Sequence, residues 1–470
     1  MASLWTIDEI CRATGAPLGN LAPDREIFGV SIDSRTVAAH DLFVAIKGDQ
    51  FDGHDFVVQA LEKGAGAALV NAKFAQAHPK IEGLLVVDDA LQGLEQLGIA
   101  ARARVSGHVI AITGSVGKTS TKEAVRITLE QFGKTHYSIK SFNNHWGVPL
   151  MLARMPADTD YGVFELGMNH ADEIRHLVAM VRPHMAVITK IAAAHLENFP
   201  DLYGIADAKA EIFEGLEPNG QIFLGADHDY LPYLQGRAAG LGRHEVTTYG
   251  FAPGADLRLG APKLADGQIS SKFCFRGNEG TLLVPQLGAH ALPNAACAYL
   301  IGRAFDLNSD SLIDALRAYV APPGRGEVLE MAIDGSTFVL VDESYNANPS
   351  SMQAALDTLA QTAHQGRICV ILGDMLELGE KSPELHRALA TPILTLGPAQ
   401  CFLVGPMMAH LRDKLDAQVP VDWAENREGL LSKLANWLAP GDLVMVKGSN
   451  GIGLGALVQA CREKWPPVKV

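Results

Sequence analysis

Between residues 109 and 121 the chain reads Val-Ile-Ala-Ile-Thr-Gly-Ser-Val-Gly-Lys-Thr-Ser-Thr. An apolar β-branched run, Val109 to Ile112, passes through Gly114 and Gly117 into Lys118 and a helix-compatible segment. A strand feeding a glycine turn at a helix N-terminus leaves several backbone N–H groups unpaired and aimed at one point. That arrangement attracts phosphate, and a lysine beside it adds a full positive charge. Thr119 places a hydroxyl where one can hold the Mg2+ that travels with a nucleoside triphosphate. The common phosphate-loop pattern needs a glycine at Ile112; the form here is the shorter Thr113-Gly114-Ser115-Val116-Gly117-Lys118-Thr119-Ser120. Strand, turn, lysine and hydroxyl in this order predict a nucleotide-phosphate site.

Other residues could join that chemistry. Glu165 ends the apolar run Tyr161-Gly-Val-Phe-Glu, and an acidic residue at the carboxyl edge of a parallel strand is well placed to ligate Mg2+, directly or through water. His195 follows the run through Ile191; a lone histidine is more often structural, but this one also falls at the end of a strand, where ligands collect. Lys209, with Glu211 and Glu214 nearby, reads on pattern alone as a surface lysine on a charged helix face. Asn143 and Asn144 make a loop whose amides could orient a polar substrate, although by themselves they are turn formers. Arg325, in Pro323-Gly-Arg-Gly-Glu327, offers a guanidinium suited to bidentate phosphate binding and to offsetting charge in phosphoryl transfer. Asp342 ends a strand, a common place to bind a ribose hydroxyl. Ser344-Tyr-Asn-Ala-Asn-Pro-Ser-Ser-Met352 is dense in hydrogen-bonding groups and opens a helix expected to be capped by Ser350 or Ser351.

The elements that must position these groups alternate. At 470 residues the chain is long enough for about three domains. The first zone, to residue 86, carries short strand-like pieces at 29–32, 42–46, 67–70 and 84–87 and a helix over 56–63. The second, 87–321, opens with a helix over 91–104 and then alternates near-continuous apolar strands (161–166, 185–191, 221–224) with helices (171–180, 205–214). Such strands suit a parallel sheet covered on both faces. Residues 245–285 read as antiparallel, with turns at Gly254 and Asp266-Gly267. The third zone, 322–470, begins at the hinge-like Pro322-Pro323-Gly324 and alternates again: strands at 338–341, 368–372, 401–404 and 443–446, and a helix over 350–359. The expectation is an α/β protein with a small N-terminal α/β domain, a central phosphate-loop α/β domain and a C-terminal Rossmann-like one.

Composition narrows the class. Apolar residues make up 48% of the chain and charged ones 20%, enough for large buried cores. A net charge of −14 opposes a nucleic-acid partner, which would need a basic face. The six cysteines are scattered with no C-x-x-C pair and read as free thiols in a reducing compartment. Asp8 and Glu9 interrupt any signal-like start, and no uncharged apolar stretch reaches the roughly 18 residues that a membrane span needs. A cytoplasmic protein with no membrane insertion is expected.

Taken together the segments resemble the Mur ligases, ATP-dependent amino-acid adding enzymes of bacterial cell-wall synthesis, over essentially the whole chain. The short phosphate loop, Glu165, His195-Leu-Glu, Ala208-Lys-Ala-Glu-Ile-Phe213, Gly288-Ala-His290, Asn294-Ala-Ala and Gly324-Arg325 match the family's signatures in order. Asp342-Glu-Ser-Tyr-Asn-Ala-Asn-Pro-Ser-Ser-Met, Gly373-Asp-Met-Leu-Glu-Leu-Gly-Glu and His386 are similar to the branch that adds D-alanyl-D-alanine. Three positions depart from the family pattern: Ala291 stands where Asn is usual, Asn450 where Arg is usual and Gly455 where Glu is common.

The resemblance implies a site. ATP would be bound by residues 113–120, Asn294, Arg325 and Asp342. Thr119, Glu165, His195 and Lys209 would hold two Mg2+ ions, with Lys209 carbamylated by CO2. Lys118, His195, Lys209 and Arg325 would carry catalysis. Asp33, Ser34, Arg35, Lys47, Gly48, Asp52, Gly53, His54 and Phe56 would bind the uridine nucleotide, while Asn143, Asn144, Tyr345, Asn346 and Asn348 would face the peptides. The implied reaction joins D-alanyl-D-alanine to UDP-MurNAc-tripeptide through an acyl phosphate, in a monomer. The rival readings are a sister branch adding the third amino acid, a folylpolyglutamate-type relative, and a P-loop ATPase driving a protein partner.

Overall fold

The computed structural model describes residues 3–48, 51–243, 245–265, 267–362, 364–415 and 418–468. Three large sheets and one two-stranded sheet organise the described residues, as the alternating pattern requires, and the α/β class with three domains holds.

The first sheet has four parallel strands in sequential order, Gly29–Ser31, Asp41–Val44, Ala67–Asn71 and Leu84–Val87. Ahead of it, Trp5–Thr6 pairs antiparallel with Glu26–Ile27, and the helix Ile7–Thr14 starts at a Thr6–Glu9 capping box. One face of this sheet packs its own small core around Phe43, Val57 and Val70, and the other face packs onward into the central domain. One continuous cluster runs from Trp5, Leu42 and Leu69 through Leu94 and Leu97 to Val148, Leu152 and Leu177. The helix Ala90–Arg104 lies in its middle, where Gly98 lets the helix Gly147–Ala153 approach: an added Cβ would sit 3.1 Å from Pro149 O.

The second sheet has ten strands. Thr135–Tyr137, Tyr161–Glu165, His108–Thr113, Met185–Ile188, Gln221–Gly225, Val246–Gly250 and Leu257–Leu259 lie side by side in that order, all parallel. Gln268–Phe275 then pairs antiparallel with Leu257–Leu259, Lys263–Ala265 and Asn278–Val284. The antiparallel reading of 245–285 therefore needs correcting at its start. The helix Leu231–Gly240 carries the chain back over the sheet, so the next strand continues it in parallel. Gly267 takes a positive φ of 71° at the turn into Gln268–Phe275, while Asp266 lies outside the described residues. His108–Thr113 has later strands on both sides, so sequential strands diverge at its carboxyl end and leave a crevice there.

The third sheet runs Glu327–Ile333, Ser336–Glu343, Leu443–Lys447, Ile368–Gly373, Gln400–Val404, Val421–Ala424. Its first pair is an antiparallel hairpin turned by Asp334-Gly335, both at positive φ; the other neighbours are parallel. The helix after Ser344 is Pro349–Gln361, and its cap is Asn348, not Ser350 or Ser351. Asn348 Oδ1 accepts from Ser351 N at 2.9 Å, and Pro349 takes the first helical position, where its missing N–H costs nothing. Among the described residues no helix is long and apolar enough to cross a membrane, and the six cysteines are free.

Candidate active site

The loop after His108–Thr113 is built around two glycines that tolerate no side chain. Gly114 (φ 149°) would place a Cβ 1.9 Å from Thr189 Oγ1; Gly117 (φ 88°) would place one 3.2 Å from Asn294 Oδ1. The loop is pinned from the neighbouring strand's end: Ser115 N donates to Lys190 O at 2.7 Å and Thr189 Oγ1 donates to Val116 O at 2.6 Å. Gly117 caps the helix Lys118–Leu129 with no side chain, so the first-turn N–H groups stay open to a ligand. Ser115 Oγ is buried with no partner among the described residues. An orphaned hydroxyl beside open amides fits a phosphate. Lys118 Nζ folds back onto Gly114 O at 2.7 Å, and burial, with the Arg325 charge adding to it, lowers its pKa against the pull of Glu165.

Thr119 and Glu165 meet as expected. Thr119 Oγ1 donates to Glu165 Oε2 at 2.8 Å, and Asn143 Nδ2 donates to Oε1, also at 2.8 Å, on a carboxylate only 2% exposed. Among the described residues no three His, Cys, Asp or Glu side chains gather into a metal cage. Mg2+ does not need one, since it keeps waters and phosphate oxygens as ligands, and a hydroxyl–carboxylate pair beside the phosphate loop fits it.

Lys209 overturns the surface reading: it is 1% exposed on the helix Leu202–Ala210 and forms no ion pair among the described residues. Burial, then the charge of Lys118, hold its pKa well below the ordinary value, with Glu211 opposing. His195 takes a left-handed backbone (φ 58°) and turns Nδ1 to Glu377 of the C-terminal domain, 2.5 Å from Oε2. That imidazole holds the Glu377 carboxyl below the usual range.

The phosphate loop opens into a cleft of about 330 Å³ between the central and C-terminal domains. Residues 115–120, Asn294, Arg325, Asn346 and Asn348 line it. Asn294 Oδ1 accepts from Thr121 Oγ1 at 2.9 Å, and the Arg325 guanidinium lies 4.0 Å over the Tyr345 ring. Asp342, expected to face a ribose, does not reach the cleft. It is 4% exposed, and its oxygens accept from Gly324 N at 3.1 Å and from Ser344 N at 3.1 Å and Oγ at 2.6 Å. Asn348 reaches the cleft wall with its Oδ1 already engaged in the helix cap.

Lys190, Asp227, Tyr249, Glu343 and Lys447 also line the cleft and were missed. Thr189 and Lys190 directly follow the strand Met185–Ile188, a position that could have flagged them. Lys447 ends the strand Leu443–Lys447, just before Gly448-Ser-Asn450, and donates to Glu343 Oε2 at 3.2 Å and Asn346 O at 3.1 Å.

The residues expected to bind the uridine nucleotide lie away from this cleft, in the N-terminal unit. Arg35 forks onto Asp33 at 2.8–3.2 Å and holds its carboxyl at about 2; Ser34 Oγ donates to Gln59 Oε1 at 3.0 Å. Lys47 and Asp52 form an isolated bridge around Gly48, closing on Gly53, whose Cβ would strike Ile46 O at 2.6 Å. His54 is 7% exposed with both nitrogens engaged, Nδ1 with Asp52 Oδ1 at 2.6 Å and Nε2 accepting from Asn71 N at 3.1 Å, so it shapes the loop from inside. Phe56 stays 39% exposed. Asn144 Oδ1 accepts from Gly147 N at 2.9 Å, capping the turn before the next helix.

Comparison with known proteins follows the same division of the chain. Three family descriptions match it in order: "Mur ligase family, catalytic domain" over 26–105, "Mur ligase middle domain" over 112–302 and "Mur ligase, glutamate ligase domain" over 324–450. The UDP-N-acetylmuramoyl-tripeptide–D-alanyl-D-alanine ligase of Rickettsia prowazekii is 32% identical, covering 97% of this chain and 99% of its own. The ligase of the same name from Escherichia coli is 33% identical over 94% and 95%. A crystal structure of MurF from Acinetobacter baumannii superposes with a TM-score of 0.84 at 28% identity, covering 98% and 99%. With all three family domains matched in order and full-length relatives above 30% identity, the chain belongs to the Mur ligase family.

Proposed function

We propose that this protein joins D-alanyl-D-alanine to UDP-MurNAc-tripeptide at the expense of ATP, giving the pentapeptide, ADP and phosphate. The observation that carries the reading is one cleft with the phosphate cradle and Lys118 on one wall and Arg325, Asn346 and Lys447 on the other. Full-length relatives bearing that activity in their names support it.

The tripeptide carboxylate attacks the γ-phosphorus, ADP leaves, and an acyl phosphate forms. The dipeptide amine then adds to the acyl carbon, and the tetrahedral intermediate expels phosphate. Bringing a carboxylate to an anionic triphosphate is repulsive, so the site needs concentrated positive charge. Lys118 swings from Gly114 O to the phosphates, and Arg325, braced on Tyr345, meets charge developing on the transferred group. Thr119 and Glu165 would hold Mg2+, which supplies further charge neutralisation when bound. Closing the two walls excludes water that would hydrolyse the acyl phosphate.

Lys209 is the carbamylation candidate. Only a neutral amine adds to CO2, and burial, with the Lys118 charge adding to it, lowers the pKa of this one and so favours that form. The carbamate would turn a repelled cation into an anion able, with His195, to support a second Mg2+. The N-terminal segment Asp33–Phe56 would take the uridine nucleotide, and Asn144, Tyr345 and Asn346 the peptides.

Phosphate release from ATP and Mg2+, with each of the other substrates omitted in turn, tests the reading. Release that needs both, with a product heavier by the dipeptide, is expected. Release with a free amino acid in place of the dipeptide would move the chain to a sister branch, and release indifferent to both would make it an ATPase.

A further inference from the structure

The mechanism leaves one interdomain contact unused. The segment Leu376–Gly379, after the strand Ile368–Gly373, reaches from the C-terminal domain onto the turn that begins at His195 in the central domain. Three observations fix the contact. Glu377 Oε2 lies 2.5 Å from His195 Nδ1. Glu197 N donates to Glu377 O at 3.3 Å. Gly379, at φ 59°, passes so close that a Cβ would lie 3.3 Å from Glu197 Cα. Both acidic and imidazole partners sit in the left-handed region, Glu377 at φ 63° and His195 at 58°. That backbone is uncommon for any residue but glycine, for glutamate more than for histidine, and it persists where the surroundings over-determine it. His195 Nδ1 is buried with no aligned hydrogen bond among the described residues, and the Glu377 carboxylate is the charged group that lies against it.

We propose that Glu377 is a positioning residue that reaches across the domain boundary to fix the tautomer and orientation of His195. A carboxylate facing Nδ1 keeps the proton there and leaves the lone pair on Nε2. A histidine that binds a metal through one nitrogen is held in this way by a carboxylate on the other, and loss of that partner costs about 10–100-fold in metal affinity. Because Glu377 belongs to the domain opposite, His195 is set in its binding tautomer only while the two domains are closed. Domain closure and readiness of the metal site are then one event. The inference rests on the reading of His195 as a metal ligand, and the experiment separates the two.

In full-length protein labelled with 15N-histidine, His195 is assigned by the signal missing from His195→Gln, and its tautomer is read from its nitrogen shifts without metal or nucleotide. The expected result is an Nδ1–H tautomer in the wild type, lost in Glu377→Gln. Glu377 is about half exposed, so the substitution leaves the fold intact. The Mg2+ concentration for half-maximal phosphate release rises about 10–100-fold in Glu377→Gln while KM for the nucleotide substrate holds. Gly379→Ala, which pushes the segment off Glu197, moves both readouts the same way with the carboxylate still present. An Nε2–H tautomer in the wild type, or a His195 signal unchanged in Glu377→Gln, overturns the proposal. An unchanged Mg2+ requirement in His195→Gln overturns the metal-ligand reading instead, and the spectrum still decides what Glu377 does.

Discussion

Two lysines within the charge field of one site do opposite things. Lys118 rests on a carbonyl, free to transfer to a phosphate; Lys209 forms no ion pair among the described residues, and burial lowers its pKa. Lys118→Ala should lower kcat by about a thousandfold or more, measured as phosphate release with all substrates present. Lys209 makes a pH prediction. Its folded pKa lies below the ordinary 10.5 because of burial first and Lys118 second. Between those two values the unfolded chain binds a proton that the folded chain refuses, so stability rises with pH through that window. In CO2-free buffer Lys209→Met should melt higher than wild type near pH 7, with the gap narrowing as pH approaches about 10. The sequence pattern hid this lysine because its acidic neighbours looked like a solvated face. Glu211 is itself 3% exposed and accepts from the N–H groups of Asp172 at 2.8 Å and Arg175 at 3.0 Å, so it caps a neighbouring helix instead of facing water.

At the level of elements, the parallel strands were legible because strands buried on both faces are written as apolar runs, as Val-Ile-Ala-Ile and Ile-Cys-Val-Ile-Leu are. What escaped lies at edges. Trp5–Thr6 and Glu26–Ile27 are too short to show a period, and Val421–Ala424 is half-buried throughout. The edge hairpin strand Glu327–Ile333 buries only Met331 and Ile333. The strand–turn–helix geometry of the loop at 113–120 was readable because it is local in sequence. Glu377 and Lys447 were not, because their partners lie 182 and 104 positions away, at His195 and Glu343. Asn348→Ala should cost about 1 kcal/mol by denaturant titration and Ser350→Ala under about 0.5, which separates the observed cap from the expected one. Glycines in helices divide just as sharply. Gly98→Val forces apart two packed helices and should cost about 1–3 kcal/mol, whereas Gly236→Ala, with open space around its Cβ, should gain up to about 1 kcal/mol.

Across the whole molecule, the N-terminal unit and the central domain share their largest core, beside a smaller one in each, while the C-terminal domain has its own. Calorimetry should therefore show two transitions, with residues 3–87 melting together with the central domain and not alone. What joins the two bodies is short. Tyr319 is 2% exposed, packed in the central core, and its hydroxyl reaches Ser120 O at 3.5 Å. Gly324 is already tied to the other body through Asp342 and Tyr345. Only Val320, Ala321, Pro322 and Pro323 lie between, and the two prolines have fixed φ. So brief and stiff a tether confines the C-terminal domain to a narrow arc, and it sets the effective concentration at which Arg325 meets the phosphate cradle. Two glycines inserted after Val320 would widen the arc and dilute that arginine: turnover should fall while both melting transitions stay in place.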